Sequence, residues 1–475
     1  MHGKPVFRLK RNELGEPVRF KARWVCKGYE AVWGQDYHRT TSPTMRMESF
    51  RVLLHLAAAL NWEILQLDVK TAFLHGLLPA DEICYMEQPR GFEEPGKETW
   101  VWELVKGLYG LPHGGHNWYL TMYKYLESIG FRRLPCEYCL FIRTTSDGTV
   151  ITGIHVDDFL PITSTVLAGS RFKEELRKVW TITDLGEARF CVGIAIERDR
   201  SARTVSISQT ALIDRIIEQF GLADAHPVST PMESSCHLTR PTAPLSDDDK
   251  TAARAWPYRA LVGSLNYVAV GSRPDISFAV QQLSQFLDCY GRPHWEAAKR
   301  VVRYLKGTRD LALHLGGSRP AFLLGYSDSD WAGCHDSRRS IGGYCCSLGS
   351  GMISWSARKQ AIVTTSSTEA EYIAASETAR DLVWLRSVLS ELGFKQSHPS
   401  PMCVDNTGAI DLSGDPSHHS RTKHIDIKYH LLRDYCENGS IFVRWIPSKD
   451  NTADIFTKPL PGPQFTTLRG YLGLR

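Results

Sequence analysis

The chain has 475 residues, of which 43% are hydrophobic and 23% charged, and its formal net charge is +4. This composition is typical of a globular protein with two to four domains, and it excludes a chain too polar to form hydrophobic cores. Because no run of about 18 apolar residues occurs, we expect no membrane partner. We also expect an intracellular location, with reduced thiols at the 12 cysteines.

The first predicted element is a β-hairpin. Apolar and polar residues alternate over residues 5–28, around a turn at residues 12–15. The second strand carries a row of basic side chains, at Arg19, Lys21, Arg23 and Lys27. Such a row can bind phosphate, and it can equally be a solvated strand face. Residues 47–60 then predict an amphipathic helix with Ser49 as its candidate N-cap.

A strand over residues 64–68 follows and ends in a single carboxylate, Asp68. An aspartate in that position can cap a helix or serve as a ligand. The glycine-rich stretch 106–119 leads into a helix from about Asn117, and backbone N–H groups at a helix start favour an anion. Residues 165–180 predict a further helix, and residues 183–186 a turn.

Two adjacent carboxylates, Asp157 and Asp158, interrupt the apolar run of residues 151–160. The pattern predicts a tight hairpin with the acidic pair at its tip. Two carboxylates beside a hydrophobic sheet are costly unless a cation neutralises them, and Mg²⁺ prefers such oxygen ligands. Taken alone, the pair is equally well explained as a solvated turn.

Residues 227–257 are rich in proline and aspartate, which predicts an exposed linker. Residues 258–305 are predicted to be helical. This segment carries Lys299 and Arg303, which can contact the backbone of a nucleic-acid duplex or form a solvated face.

From about Leu311 the pattern becomes that of an α/β domain. Strands are predicted over residues 321–328, 343–348, 352–355, 402–405 and 441–446, with a long helix over residues 368–392. Four acids fall at strand ends or near helix starts: Asp328, Glu371, Asp405 and Asp454. Asp330 is a rival for Asp328, and Glu369 for Glu371. The two glutamates lie about 200° apart around a helix, so only one can face a shared site.

Several motifs occur in one order and resemble the reverse transcriptase region of copia-type LTR retrotransposon polyproteins. They are Gln66–Gly76, Gly107–Leu111, Val156–Asp158, Thr183–Glu187, Leu261–Tyr267, Arg273–Ile276, His294–Lys299 and Arg303–Thr308. A second series resembles the ribonuclease H domain that follows such enzymes, and consists of Gly325–Gly333, Ser366–Tyr372, Val404–Asn406 and Asn451–Asp454. Together the two series span essentially the whole chain.

The resemblance implies an α+β polymerase palm and fingers, N-terminally truncated, then a helical thumb or connection and an α/β RNase H-like domain. The implied boundaries are residues 1–200 for fingers and palm, 201–310 for thumb and connection with a linker near 227–257, and 311–475 for the RNase H-like domain. The family's fingers begin several dozen residues before Met1.

The resemblance also implies two metal sites with catalytic acids. The polymerase set is Asp68, Asp157 and Asp158, with Asp158 the more peripheral ligand, and the nuclease set is Asp328, Glu371, Asp405 and Asp454. Each site is expected to take two Mg²⁺ ions, with Mn²⁺ as a substitute. The implied nucleotide-binding residues are Lys21, Arg23 and His113, and the implied nucleic-acid contacts are Lys299, Arg303, Arg421, Lys423 and His424.

The expected partners are an RNA template, a DNA primer, an RNA–DNA hybrid, deoxynucleoside triphosphates and other parts of the retroelement polyprotein, in cytoplasmic particles or the nucleus. Two departures from the family pattern stand out: His155 replaces a tyrosine, and Pro112–His116 replaces the usual loop, with His113 where a glutamine is expected. The sequence therefore leaves three functions open: a polymerase with nuclease, a nuclease alone, or an inactive remnant that binds nucleic acid.

Overall fold

A computed structural model describes residues 1–11, 17–79, 82–241, 255–318, 322–414 and 427–475. The chain divides into two compact units. The first unit consists of residues 1–45 and 63–187, and the second of residues 46–62 and 188–475. The boundaries at residues 200 and 310 that the resemblance implies remain predictions.

The α-helices are numbered in chain order. They are α1 Met47–Ala59, α2 Gly114–Ser128, α3 Val166–Arg177, α4 Thr210–Gln219, α5 Tyr258–Gly271, α6 Ser277–Ser284, α7 Arg292–Gly307, α8 Ser367–Glu391, α9 Thr407–Gly414, α10 Ile427–Glu437 and α11 Gly462–Tyr471. None of the helices in the described ranges is long and apolar enough to span a membrane.

The strands follow the same convention. They are β1 Gly3–Arg11, β2 Pro17–Cys26, β3 Glu63–Val69, β4 Cys84–Glu87, β5 Val101–Leu104, β6 Arg132–Arg133, β7 Leu140–Thr145, β8 Gly148–His155, β9 Asp158–Thr163, β10 Ile182–Glu187, β11 Phe190–Cys191, β12 Ile194–Asp199, β13 Thr204–Ser208, β14 Leu313–Gly316, β15 Leu324–Asp330, β16 Ile341–Ser347, β17 Met352–Lys359, β18 Ser400–Val404 and β19 Ile441–Trp445.

The first unit is built on an antiparallel sheet with the strand order β10-β3-β9-β8-β7-β6. Its strands are rich in β-branched and aromatic residues, and Leu67, Phe159 and Ile162 are fully buried in its core. Since β3 and β9 are neighbours, the residues that end β3 lie beside those that begin β9. This pairing places Asp68 next to the β8–β9 hairpin.

The second unit holds a four-stranded antiparallel sheet, β11-β12-β13-β14, and a five-stranded mixed sheet, β17-β16-β15-β18-β19. In the mixed sheet β15, β16 and β17 are antiparallel, whereas β18 and β19 run parallel to β15. The long helix α8 packs on this sheet, with Leu382 over Gly325. The carboxyl ends of the parallel strands β15 and β18 therefore lie at one edge.

The structure confirms the hairpin at the start of the chain, the helix at residue 47 and the hairpin around Asp157. Other expectations were wrong. Ser49 is buried inside α1, whose N-cap position is Arg46, so it is not the cap. Residues 183–186 are not a separate turn but part of β10, which pairs with β3 at Thr183, Asp184 and Glu187 and has a register shift between Asp184 and Glu187.

The linker expectation is also wrong in part. Thr230, Pro231 and Met232 are buried, and the guanidinium of Arg300 donates to Glu233 and Thr230. Residues 230–232 are therefore packed rather than exposed, whereas Pro227, Ser229 and Glu233 are exposed as the linker prediction expects. Residues 242–254 of the predicted linker lie outside the described residues.

A buried ion pair lies in the helical part of the second unit, and its loss is expected to lower the stability of the protein. Arg273 and Asp275 have fully buried side chains joined by two hydrogen bonds of 2.8 and 2.9 Å, and Tyr304 also donates to Asp275. Asp275→Asn should lower the free energy of unfolding by about 3–5 kcal/mol, because the guanidinium stays buried without its counter-charge.

Urea unfolding followed by circular dichroism measures this loss. The matched control is Asp214→Asn, which breaks an exposed pair with Arg309 in which the side chains are 44% and 49% exposed. We expect the control to cost less than about 1 kcal/mol. Equal small losses for the two variants would contradict the prediction.

Two candidate metal centres

In the first unit, Asp68 and Asp158 face each other across two antiparallel strands. Asp68, near the end of β3, is the register partner of Asp158, the first residue of β9. Side chains paired in this way lie on the same face of the sheet with Cβ atoms about 4.5–5.5 Å apart, and two like charges so placed repel each other. The pair therefore favours a bound cation.

Asp157 lies next to this pair, in the turn between β8 and β9, where its side chain is exposed. Among the described residues, these three carboxylates do not converge as closely as the acids of the second unit do. The preceding residue, Val156, has a φ of 61°, which is strained for a β-branched residue. The turn is held on both sides: the indole Nε1 of Trp118 donates to the Val156 carbonyl at 2.7 Å, and the Val69 amide donates to the Asp157 carbonyl at 3.0 Å. These bonds fix the backbone beside the acids.

The electrostatics of this first centre reflect crowding of negative charge. The pKa of Asp158 is raised to about 6, by burial first and then by Asp157 and Asp68, although a hydrogen bond from Gln66 partly opposes the rise. Burial lowers the pKa of His155, which precedes the acids, and the nearby Asp157 partly offsets this. His155 is thus held largely neutral and supplies little counter-charge at neutral pH.

The three residues predicted to bind nucleotide have different surroundings. Lys21 and Arg23 are half-buried and share one face of the β1–β2 hairpin, and the Arg23 guanidinium lies 4.9 Å from the centre of the Tyr109 ring. His113 is fully buried and stacked on Tyr37, and no described residue makes a hydrogen bond with its Nδ1. This burial gives no support to the expected nucleotide contact, which remains a prediction.

In the second unit, three of the predicted acids converge. One carboxylate oxygen each from Asp328, Glu371 and Asp405 lies within 4.8 Å of the other two. Asp328 lies on β15, Asp405 directly follows β18, and Glu371 belongs to the early turns of α8. The edge of the mixed sheet and the helix start therefore supply the group together.

Hydrogen bonds position two of these acids, Glu371 and Asp328. The Ser329 amide donates to Glu371 Oε1 at 3.2 Å, and the Thr457 hydroxyl donates to Asp328 Oδ2. Glu371 Oε2 is buried and has no hydrogen-bond partner among the described residues. A buried carboxylate oxygen with no partner is costly, and hard oxygen ligands at this spacing fit Mg²⁺ or Mn²⁺.

Asp454 lies outside this group of three and is linked to it through a lysine. The Lys458 ammonium lies 3.0 Å from Asp454 Oδ1 and 3.6 Å from Asp328 Oδ2. The pKa of Asp454 is raised to about 7 by burial and then by Asp328, against the opposing effect of Lys458. Burial, followed by Asp328 and Asp405, also raises the pKa of Glu371 well above its ordinary range.

The structure separates the rival acids from the group. Glu369 accepts hydrogen bonds from the Thr365 amide and hydroxyl at 2.7 and 2.9 Å, within the N-terminal cap of α8, whose N-cap is Ser366. Asp330, at the end of β15, is half-buried and is not one of the three converging acids.

Two of the residues predicted to contact nucleic acid make bonds to other residues of the chain, and the other three lie outside the described residues. Lys299 pairs with Glu296 at 2.9 Å, and Arg303 donates to the His226 carbonyl at 2.7 Å. The first pair lies within α7, whereas the bond from Arg303 joins α7 to the segment before residue 234. Arg421, Lys423 and His424 fall outside the described residues, so their role stays a prediction.

Sequence reasoning missed Trp118, Thr457 and Lys458. Trp118 lies on α2, far along the chain from the turn that it supports, and no local pattern reveals that contact. Lys458 follows Asp454 by four residues, beyond the 3₁₀ turn Thr452–Phe456, and no helix was predicted there that would have pointed to this contact.

A raised pKa gives a stability prediction for the second centre. In metal-free protein, folded Asp454 binds its proton up to about pH 7, whereas an unfolded aspartate releases it near pH 3.9. The stabilisation that Asp454 contributes to the folded state is therefore fully present below about pH 3.9, and it is lost as the pH rises towards 7. We expect Asp454→Asn, in chelator, to gain roughly 2–4 kcal/mol relative to the wild type between about pH 4 and 7.5.

Urea unfolding at a series of pH values checks this. A difference between variant and wild type that stays constant across the series, or that moves in the opposite direction, would contradict the prediction.

Comparison with known proteins adds a family context to this geometry. Residues 1–234 match the family model described as "Reverse transcriptase (RNA-dependent DNA polymerase)". The retrovirus-related Pol polyprotein from transposon TNT 1-94 of Nicotiana tabacum is 40% identical over 470 residues, which is 99% of this chain and 35% of the relative. The retrovirus-related Pol polyprotein from transposon RE2 of Arabidopsis thaliana is 36% identical over 469 residues. The matched region is 99% of this chain and 32% of the relative.

The chain spans about a third of the length of these polyproteins. It covers 100% of a shorter relative, the putative transposon Ty5-1 protein of Saccharomyces cerevisiae, at 34% identity over 66% of this chain. Among solved structures, the N-terminal RNase H domain of rv2228c from Mycobacterium tuberculosis, fused to maltose binding protein, matches 32% of this chain and 97% of that chain, at 15% identity and a TM-score of 0.21.

Proposed function

The chain belongs to the reverse transcriptase family of copia-type retrotransposon Pol polyproteins, and from that premise we propose that it copies RNA into DNA and cleaves the RNA strand of the resulting hybrid. The observation that carries the proposal is the convergence of Asp328, Glu371 and Asp405 in the second unit, together with the facing pair of Asp68 and Asp158 in the first unit. Acidic residues in each of the two units suit two separate phosphoryl-transfer reactions, the addition of nucleotides and the cleavage of RNA.

The proposed division of labour follows the units. The first unit supplies a polymerase palm from its antiparallel sheet, with the β1–β2 hairpin as part of the fingers. Residues 201–310 act as thumb and connection. Residues 311–475 form an RNase H-like domain, for which the mixed sheet β17-β16-β15-β18-β19 with α8 against it is the supporting feature.

In the polymerase centre, the carboxylates of Asp68 and Asp157 would hold the metal ions, and Asp158 would contribute from the periphery. Bound Mg²⁺, or Mn²⁺ in its place, would supply charge stabilisation for the attacking and leaving oxygens of in-line displacement at phosphorus. Lys21 and Arg23, on one face of the β1–β2 hairpin, bind the phosphates of the incoming deoxynucleoside triphosphate. The template is RNA and the primer DNA.

In the nuclease centre, Asp328, Glu371 and Asp405 are the main ligands, and Asp454 completes the set. Glu371 Oε2 has no hydrogen-bond partner within the described ranges, which supports this assignment, because a metal ion would supply the partner that this oxygen lacks. Lys299 and Arg303, with Arg421, Lys423 and His424, contact the hybrid backbone. We expect the protein to act in cytoplasmic particles or the nucleus, beside other parts of the retroelement polyprotein.

A chain active only as a nuclease is the second candidate. The burial of His113 favours it, since this residue stands where the family places a nucleotide contact. The buried group in the second unit is unaffected by that departure.

The test uses the purified chain with Mg²⁺. Primer extension is measured on an RNA template with a labelled DNA primer and deoxynucleoside triphosphates, and cleavage is measured on an RNA–DNA hybrid labelled in the RNA. We expect both activities, and both should disappear in chelator. Cleavage without extension would establish the nuclease-only alternative, and absence of both would refute the proposal.

A further inference from the structure

Lys458 places a positive charge among the acids of the second centre. It follows a 3₁₀ turn, Thr452–Phe456, that carries Asp454. Its ammonium lies 3.0 Å from Asp454 Oδ1 and 3.6 Å from Asp328 Oδ2, while its side chain remains 35% exposed. The group can therefore both pair with the acids and move towards solvent.

The pairing engages an atom that a metal ion could use. Asp328 Oδ2 is in contact with Lys458 and also accepts a hydrogen bond from the Thr457 hydroxyl. Glu371 Oε2, in contrast, accepts no hydrogen bond from the part of the chain that the structure describes. One side of the carboxylate group is thus neutralised by the protein itself, and the other side is left to an external cation.

We propose that Lys458 is an internal counter-ion that stabilises the metal-free nuclease centre and competes with Mg²⁺ for it, so that this lysine sets the Mg²⁺ concentration at which the centre fills. The inference rests on the proposed nuclease function, because it assumes that the acids bind the metal. An ammonium near a bound divalent cation repels it, and in the partly shielded surroundings of a protein surface that repulsion is large enough to matter.

Removing the charge should therefore have two opposite effects. In chelator, Lys458→Met leaves the acids to repel one another, and we expect its midpoint of thermal unfolding to fall below that of the wild type. With Mg²⁺ present, the repulsion between cations is gone, and we expect the Mg²⁺ concentration at half-saturation to fall by about tenfold. The stabilisation gained on adding Mg²⁺ should be larger than in the wild type.

The experiment titrates Mg²⁺ alone, without nucleic acid, into the full chain and records heat of binding and thermal midpoint. Lys395→Met removes one charge from an exposed position in the same unit and controls for net charge. Lys458→Arg keeps the charge and should bind Mg²⁺ within about threefold of the wild type. If Lys458→Met does not fold with or without Mg²⁺, the test relies on Lys458→Arg. A half-saturating Mg²⁺ concentration tenfold lower in Lys458→Arg than in the wild type would overturn the proposal.

The outcomes separate this inference from the function on which it rests. If the wild type binds Mg²⁺ and Asp405→Asn abolishes that binding, the metal centre stands. An unchanged half-saturating concentration in Lys458→Met then overturns the counter-ion role alone. If the wild type shows no binding that depends on Asp405, both the metal centre and the inference fail.

Discussion

Replacing Glu371 by glutamine is expected to abolish cleavage of RNA in an RNA–DNA hybrid. Its side chain is buried, and one carboxylate oxygen lies within 4.8 Å of oxygens of both Asp328 and Asp405. An amide carries no charge and is a poorer metal ligand, so the variant loses a bound ion or misplaces it. Metal stabilisation of the transition state amounts to several kcal/mol, which corresponds to a loss of about a thousandfold or more in rate.

The same helix supplies a matched control. Glu369→Gln makes the same chemical change two residues earlier, but that carboxylate accepts hydrogen bonds from Thr365 in the helix cap. We expect it to cost about 1 kcal/mol of stability and to leave the cleavage rate within a few-fold of the wild type. If the two variants exchanged these outcomes, Glu369 would be the ligand, and the assignment of Glu371 would be wrong.

Asp157→Asn is expected to abolish primer extension by a similar factor, about a thousandfold or more. The residue is exposed at the tip of the β8–β9 hairpin, beside Asp68 and Asp158, on a backbone held by Trp118 and Val69. Because the substitution keeps the size of the side chain and removes no hydrogen bond that the described structure assigns to it, a loss of activity reports on charge and metal binding rather than on folding.

Asp147 provides the control for this variant. It lies in the turn at the opposite end of β8, where its carboxylate pairs with Arg171 at 2.5 Å. Asp147→Asn breaks an ion pair at the surface, which contributes at most about 1 kcal/mol. We expect primer extension to remain near the wild-type rate, as measured with a labelled primer on an RNA template. Equal losses in the two variants would remove the special status of Asp157.

The features of these centres that could be predicted are those that depend on the residue pattern within a short stretch of sequence. The acidic pair Asp157–Asp158 between two apolar runs predicts a hairpin, and a hairpin is found. The spacing of Glu369 and Glu371 shows that only one can face the site, and the cap motif at Ser366 explains which one is used elsewhere. Period and capping are short-range properties, so the sequence carries them directly.

The parts that could not be predicted depend on pairing between distant segments. Residues 183–186 have the composition of a turn, yet β10 passes through them because β3 offers an open edge. The hydrogen bond from the Arg303 guanidinium to the His226 carbonyl joins residues 77 positions apart and could not be predicted, and the nucleic-acid contact of Arg303 remains a prediction. The burial of His113 likewise follows from contacts with Tyr37 and Cys84, which precede it by many residues.

The most direct test of two independent centres measures both reactions on the wild type, Asp157→Asn and Glu371→Gln, prepared and assayed together with Mg²⁺. We predict that Asp157→Asn loses primer extension and keeps hybrid cleavage, whereas Glu371→Gln loses cleavage and keeps extension. If either variant lost both activities while remaining folded, or if neither lost any, the assignment of one reaction to each centre would be contradicted.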